Sequence, residues 1–277
     1  VSGPRRGPPG QRERPRGFDP RTRRAEPTGP RRAAPAGGEP IYGLRAALAV
    51  CTVRPADVVA VTWAPDVEHE VAPIVAPLRL RGVRTNVVPA RELERIARSP
   101  QHEGIVVEAK ERTWYSAKDL AERILARKGV VVALDRVRNS YNVGAILRGA
   151  AFFGLDAALL GAPAPHPGLD ANAVRVAEGG AEHLALARTT DLADTLARVR
   201  ARGIAVVGAD GEGTLDARGV DFEGPLVIVM GNEREGMLPR VRTECDRIVA
   251  IRGSGNVESL NVAVAAGVLF SRVRRPR

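Results

Sequence analysis

The chain has 277 residues, 44% of them hydrophobic and only 4% aromatic, with a net charge of +10. That length allows one large domain or two small ones, and the apolar share is enough for a core of Val, Leu, Ile and Ala. There is no run of eighteen apolar residues and no signal-peptide layout, which excludes spanning helices and leads to the expectation of a cytoplasmic protein. Cys51 and Cys245 form neither a disulfide framework nor a zinc pattern, so they read as packing thiols, and no metal is expected. The positive balance points to a polyanionic partner, RNA above all.

Residues 1–39 are Pro, Gly and Arg with hardly an apolar side chain larger than alanine. Such a segment cannot bury enough surface to offset its ordering entropy, and a disordered arm is expected. Its ten arginines against four acids place a net +6 there. That suits either a tether on RNA phosphates or a solubilising tail. Order is expected from Glu39-Pro40-Ile41 onward. Leu44, Leu48 and Cys51 recur at helical spacing. A strand at 58–61 follows, then a helical stretch carrying Val71, Ile74, Val75 and Leu78, a strand at 83–88, a helix opening at Pro89, and a strand at 104–107. Residues 40–110 thus read as a small α/β domain without a cluster of catalytic residue types, suited to docking a substrate. His69 and His102 read as structural, His102 equally as a turn residue. Residues 111–128, with Trp114, Tyr115 and Leu120, read as a linker that becomes a helix.

A second α/β domain is expected over 129–277, opening on a buried strand at 130–134. The loop at 135–142 holds no glycine, so the dinucleotide-binding fingerprint is missing. In the helix at 142–154, Asn142 suits the N-cap, and Ile146, Leu147 and Ala150 form the buried stripe. Gly144 and Arg148 are four apart and share a face, the glycine leaving room beside the guanidinium for a phosphate or ribose. A strand at 157–161, a helical segment at 171–178, a turn at 179–183 leading into a strand at 184–187, a helix at 192–202 and a strand at 203–208 follow. That alternation implies a mostly parallel sheet. The closing helix at 259–271 carries Ala263, Ala265, Ala266 and Gly267, small residues that fit a tight internal contact or a dimer contact.

Two segments near the end have the same build. Val227-Ile228-Val229-Met230 runs into Gly231-Asn232-Glu233-Arg234-Glu235-Gly236, and Ile251 is followed by Gly253-Ser254-Gly255-Asn256-Val257-Glu258-Ser259-Leu260-Asn261. Each reads as a core strand broken by glycine beside polar residues. Taken singly they would be ordinary turns. As a pair they would bring bare backbone groups to one sheet edge, where open α/β sheets bind ligands.

Together with Asn142-Val143-Gly144-Ala145-Ile146-Leu147-Arg148, these segments resemble, in order and spacing, the three motifs of the SpoU (TrmH-like) branch of the SPOUT RNA methyltransferases. Residues 40–109, opening on Ile41-Tyr42-Gly43, resemble the L30e-like substrate-binding domain of these enzymes. The resemblance covers about residues 40–277. It implies a ribose 2′-O-methyltransferase acting on tRNA or rRNA, with S-adenosylmethionine as donor. It also implies a small L30e-like α/β domain followed by a parallel-sheet domain with a carboxyl-terminal trefoil knot, and a homodimer whose active site is completed across the interface. By position, Asn142, Arg148, Glu233, Ser259 and Asn261 would be catalytic. Gly208, Met230, Gly231, Ile251, Leu260 and Asn261 would hold the cofactor, largely through backbone groups. Ala263 departs from the pattern, since the family usually has Ser there.

Methyl transfer from a sulfonium is an in-line displacement, so the protein must mainly position the partners and handle one proton. Arginine is a poor base because guanidinium groups hold their proton above about pH 12. The resemblance implies a general base at Arg148, as proposed for the matching arginine of the family; on this chemistry Arg148 reads instead as a clamp for a phosphate and for developing alkoxide charge, with Asn142 as an orienting group and Glu233 as a brace. The competing class is a non-catalytic RNA-binding or ribosome-assembly protein on the same fold, against which the retention of all five polar residues speaks. A Rossmann-type methyltransferase is disfavoured by the missing glycine loop after Leu134.

Overall fold

The structure, a computed structural model, describes residues 38–161 and 169–274 together with Gly3. The arm expected over 1–39 lies almost wholly outside the described residues. An amino-terminal lobe comprises β1 (Glu39–Tyr42), α1 (Leu44–Val53), β2 (Val58–Trp63), α2 (Glu68–Leu80), β3 (Arg84–Val87), α3 (Ala90–Ala97) and β4 (Ile105–Ala109). Its sheet runs β1-β4-β2-β3, with β4 antiparallel to both neighbours and β3 parallel to β2. Helical periodicity turns Ala46, Ala47, Val50 and Cys51 of α1 inward. His102 is a turn residue, its Nδ1 accepting from the Gly104 N–H at 3.1 Å. Strand β1 carries too few residues to show a period, which is why the sequence pattern did not assign it.

The carboxyl-terminal lobe holds α4 (Ala117–Arg127), β5 (Val130–Asp135), α5 (Ser140–Phe153), β6 (Ala157–Gly161), α6 (Ala171–Val176), α7 (Gly180–His183), β7 (Ala185–Thr189) and α8 (Leu192–Arg200). After these come β8 (Ala205–Ala209), β9 (Leu215–Asp216), β10 (Leu226–Met230), α9 (Pro239–Thr243), β11 (Arg247–Ala250) and α10 (Val262–Phe270). Seven parallel strands lie in the order β7-β6-β5-β10-β8-β11-β9. Every residue of β5, β6 and β10 is buried, as their continuous apolar runs require of a sheet covered on both faces. One face packs against α5 and α10 through Ile146, Leu147, Ala150, Ala266 and Leu269. The other packs against α4, α8 and α9 through Leu120, Ile124, Leu196 and Val241.

Three boundaries differ from the sequence reading. The last strand ends at Ala250, so Ile251 is the first residue beyond it. Helix α10 begins at Val262, with Asn261 as its cap. The N-cap of α5 is Asn139, whose side chain accepts from the Tyr141 and Asn142 N–H groups. At both helix starts a polar side chain satisfying orphan amides sets the boundary, a choice hydrophobic period does not report.

A buried ion-pair network joins the lobes. Arg54 Nε lies 2.6 Å from Glu182 Oε2, and Arg112 Nη2 reaches Glu39 Oε1 at 3.0 Å and Glu182 Oε1 at 3.3 Å. Backbones also approach closely: a Cβ on Gly43, at φ +91°, would stand 2.5 Å from Arg175 Cγ, and one on Gly179 would stand 2.7 Å from Ala49 Cβ. Burial pushes both thiols up to about 12, with Asp246 adding to the effect at Cys245. Both cysteines therefore act as packing groups. Among the described residues no helix is long and apolar enough to cross a membrane.

Removing Glu182, whose side chain is 2% exposed, takes from Arg54 its closest carboxylate and leaves Arg112 with Glu39 alone. Glu182→Ala is expected to lower unfolding free energy by about 1.5–3 kcal/mol, the range for a hydrogen bond to a charged group. Urea titration checks this; a loss below about 1 kcal/mol would mean that solvent already screens the network.

Candidate active site

At the carboxyl ends of β8, β10 and β11 a cleft of about 240 Å³ opens. Ala209, Asp210 and Gly211 form one wall, Met230 to Glu233 the floor, and Ile251 with Glu258, Ser259 and Leu260 the facing wall. The floor is tightly folded. A Cβ on Gly231 would lie 2.5 Å from both the Gly236 carbonyl carbon and the Met237 nitrogen, so only glycine lets this loop close on itself. Asn232 and Gly236 exchange backbone hydrogen bonds at 3.0 Å each. Asn232 Oδ1 accepts from the N–H groups of Arg234 and Glu235 at 3.0 and 3.1 Å.

Two residues that the sequence reading left unassigned anchor this loop. Asp135, buried at the end of β5, accepts the Leu238 N–H at 2.6 Å. Arg136, at φ +58°, donates to the Gly236 carbonyl at 3.1 Å and pairs with Glu235. Its own carbonyl accepts from Asn232 Nδ2 at 3.1 Å. The signal was present: a charged pair directly after a fully apolar strand is dear to bury unless it is partnered.

Glu233, Asn142 and Asn261 come together from three separate segments. Asn261 Oδ1 accepts from the Ala263 and Val264 N–H groups at 2.8 and 3.3 Å, capping α10. Its amide nitrogen donates to Asn142 Oδ1 at 3.0 Å, and Asn142 Nδ2 donates to Glu233 Oε1 at 2.5 Å. A carboxylate only accepts and the helix amides only donate, so both asparagine orientations are dictated from the two ends. The α10 cap comes from Asn261, and so the hydroxyl missing at Ala263 is not needed to close that turn.

Other expected site residues stand elsewhere. Arg148 lies outside the cleft, its Nη1 2.7 Å from Glu178 Oε1. The space beside Gly144 is not left for a phosphate: a Cβ there would meet the Ala173 carbonyl oxygen at 2.5 Å and Val176 Cβ at 2.7 Å. The glycine admits α6. Gly208 does not line the cleft either; its bare face meets Met237 Cε, Cys245 Sγ and Ile248 Cδ1 at 2.7 to 2.9 Å. The next residues, Ala209 to Gly211, do the lining. Met230, Gly231, Ile251, Ser259 and Leu260 are all in the cleft wall.

The donor set fits S-adenosylmethionine. Three carboxylates, of Asp210, Glu233 and Glu258, face the cleft with no cationic side chain among its lining residues; Asp210 is paired with Arg242 at 2.6 Å from outside that lining, which leaves Glu233 and Glu258 to suit a sulfonium and an ammonium. Leu260 is 48% exposed at the rim, apolar surface that a purine ring would cover.

Residues 129–271 match the family model described as the SpoU rRNA methylase family, and residues 40–115 match that described as RNA 2′-O ribose methyltransferase substrate binding. The chain is 34% identical over 240 residues to the 23S rRNA (guanosine-2′-O-)-methyltransferase RlmB of Photobacterium profundum, covering 85% of this chain and 97% of that one. It is 38% identical over 198 residues to the RlmB of Ralstonia nicotianae, covering 70% and 78%. The SpoU methyltransferase AviRb of Streptomyces viridochromogenes, solved in complex with the cofactor AdoMet, superposes with a TM-score of 0.66 at 26% identity, covering 86% of this chain and 89% of that one. With both of its lobes matched in chain order, the protein belongs to the SpoU rRNA methylase family and is an S-adenosylmethionine-dependent RNA 2′-O-ribose methyltransferase.

Proposed function

We propose that the chain methylates the ribose 2′-hydroxyl of a guanosine in 23S rRNA, and does so as a homodimer. The observation that carries the substrate is the 34% identity to the Photobacterium profundum RlmB over 97% of that protein, docking lobe included. Mapping 2′-O-methyl groups by mass spectrometry in 23S rRNA and tRNA from a deletion strain tests it. Loss of one guanosine methyl in 23S rRNA is the expected result; loss confined to tRNA would overturn the substrate.

In this reading the division 40–110, 111–128 and 129–277 separates docking, connection and catalysis. The backbone of the 209–211, 230–231 and 251–260 segments holds the cofactor, with Glu233 and Glu258 facing its positive charge. S-adenosylmethionine, when bound, would supply the methyl group from its sulfonium sulfur. Asn142, held between Glu233 and Asn261, fixes the rim at which the ribose enters. Ser259 offers a hydroxyl from the facing wall. Glu233 braces Asn142 rather than taking the proton, since Asn142 already occupies one of its oxygens.

Arg148 is six residues beyond Asn142 on α5, about 9 Å along the helix axis, and is paired with Glu178. It does not reach the cleft of its own chain. The same face of α5 and α10 exposes Tyr141 (54%), Phe152 (82%) and Val264 (53%). Large apolar groups in that state call for a partner surface. A second copy on this face would bring Arg148 to the partner's cleft, as a clamp for phosphate and alkoxide charge.

Arg148→Ala is expected to cut methylation at least about 100-fold while S-adenosylmethionine affinity by calorimetry stays unchanged. Mixing Arg148→Ala with Glu233→Ala protomers is expected to restore activity at about a quarter of the sites, because half the mixed dimers' clefts are then intact. Absence of any recovery would place both residues in one chain's site. Phe152→Glu with Val264→Glu is expected to yield inactive monomers by light scattering; a dimer that persists would remove this face from the interface.

A further inference from the structure

We propose that a groove on the rim of the sheet opposite the cleft is a phosphate track for the RNA. Two hollows adjoin there, sharing Gly154, Leu155 and His183. One is lined by Arg45 and Arg148, the other by Arg123, Arg127, Lys128 and Arg274. Val130 and Asp156 place the second hollow at the amino ends of β5 and β6, whereas the cleft sits at the carboxyl ends of β8, β10 and β11.

Only two carboxylates, Glu178 and Asp156, line the track against these six cations. Glu178 lies between Arg148 at 2.7 Å and Arg45 at 3.8 Å. Asp156 accepts the Val130 N–H at 3.2 Å and stands 3.8 Å from Arg127. Arg274 pairs with Asp221. Among the described residues no carboxylate pairs with Lys128 or Arg123. Arg123 Nε is buried without a hydrogen-bond partner among them, while its guanidinium carbon sits 5.8 Å over the Tyr115 ring.

The cleft carries the opposite sign, through Asp210, Glu233 and Glu258. The RNA phosphates are therefore held by the groove rather than by the cleft lining, and only the target ribose has to enter beside the cationic cofactor. Because the groove begins at Arg45 in the docking lobe and passes Arg148, which the proposed dimer sets at the partner's cleft, RNA lying in it contacts both lobes and is led toward that cleft. Such phosphate contacts set register and affinity without reading sequence. The inference rests on the chain's acting on RNA, and is independent of which RNA.

The test is the double variant Arg127→Gln with Lys128→Gly. Lys128 ends α4 in the left-handed conformation at φ +50°, where glycine is favoured, so the charge is lost without backbone strain. Arg127 is 58% exposed. Binding to unmodified 23S rRNA and tRNA transcripts is measured between 50 and 200 mM salt, alongside turnover and calorimetric cofactor affinity. The expected result is roughly tenfold weaker RNA binding, with the slope of log K against log salt shallower by about 1.4 to 1.8. Turnover at saturating RNA, cofactor affinity and melting temperature are expected to stay unchanged. Arg123→Gln is expected to shift binding in the same direction. Unchanged affinity and salt slope in both variants would overturn the track, as would loss of turnover at saturating RNA with KM unchanged. If the wild type methylates neither transcript, the 23S reading fails, while the salt slopes still decide the groove.

Discussion

Strand β11 lies between β8 and β9, two segments that follow one another in the chain. That insertion decides where everything after it goes. The loop from β8 to β10 must pass outside β11, and it does so backbone to backbone: a Cβ on Gly213 would lie 2.6 Å from the Val249 carbonyl carbon. Residues 251–261 then leave the sheet beside the exits of β8 and β10 and become a wall of the cleft. The chain end is latched to the same loop, with the Phe222 N–H donating to the Arg272 carbonyl at 3.0 Å and the Arg274 N–H to the Phe222 carbonyl at 2.9 Å. Connections of this kind run against the general avoidance of threaded loops.

Once that path is taken, the polar site follows from hydrogen-bond bookkeeping. Helix α10 needs an acceptor for its first amides and finds it in Asn261. With its oxygen so engaged, Asn261 can offer only its NH₂ to Asn142, which in turn offers its own NH₂ to Glu233. The helix cap thus sets the orientation of a rim residue on another helix. Had Asn142 been the α5 cap, its side chain would have been turned back onto its own backbone. Asn139 does that work and leaves Asn142 free to face the cleft.

Much of this architecture was legible in the chain. The apolar runs 130–134 and 227–230 announced buried strands, and the glycines at 231 and 236 beside polar residues announced where the second one breaks. The cleft walls at Met230, Ile251 and Leu260 followed from family position. What stayed hidden was long-range. Asp135 and Arg136 anchor a loop a hundred residues away; their charge at the end of a buried strand calls for partners, but nothing local to them says which. Gly144 reads as an opening toward a ligand and Gly208, by family position, as a cofactor holder, yet the space at each is filled by other parts of the protein, by α6 and by Met237 with Cys245. A glycine reports that something comes close, and the sequence does not report what. Short β9 and α9 escaped for a simpler reason, since two and five residues show no period.

The two lobes are coupled through charge as well as packing. Glu182 binds Arg54 and Arg112, while four residues earlier Glu178 binds Arg148 and faces Arg45. Glu178 precedes α7 and Glu182 lies within it, and α7 is wedged against α5 closely enough that a Cβ on Gly180 would stand 2.9 Å from Arg148 Cα. A buried network of this kind contributes little net stability over an apolar contact of the same shape, because desolvation offsets most of the Coulomb attraction. Its distinguishing consequence is geometric. It gives the docking lobe one position relative to α5, so that wherever the RNA is held by the first lobe, the distance to Arg148 is already set.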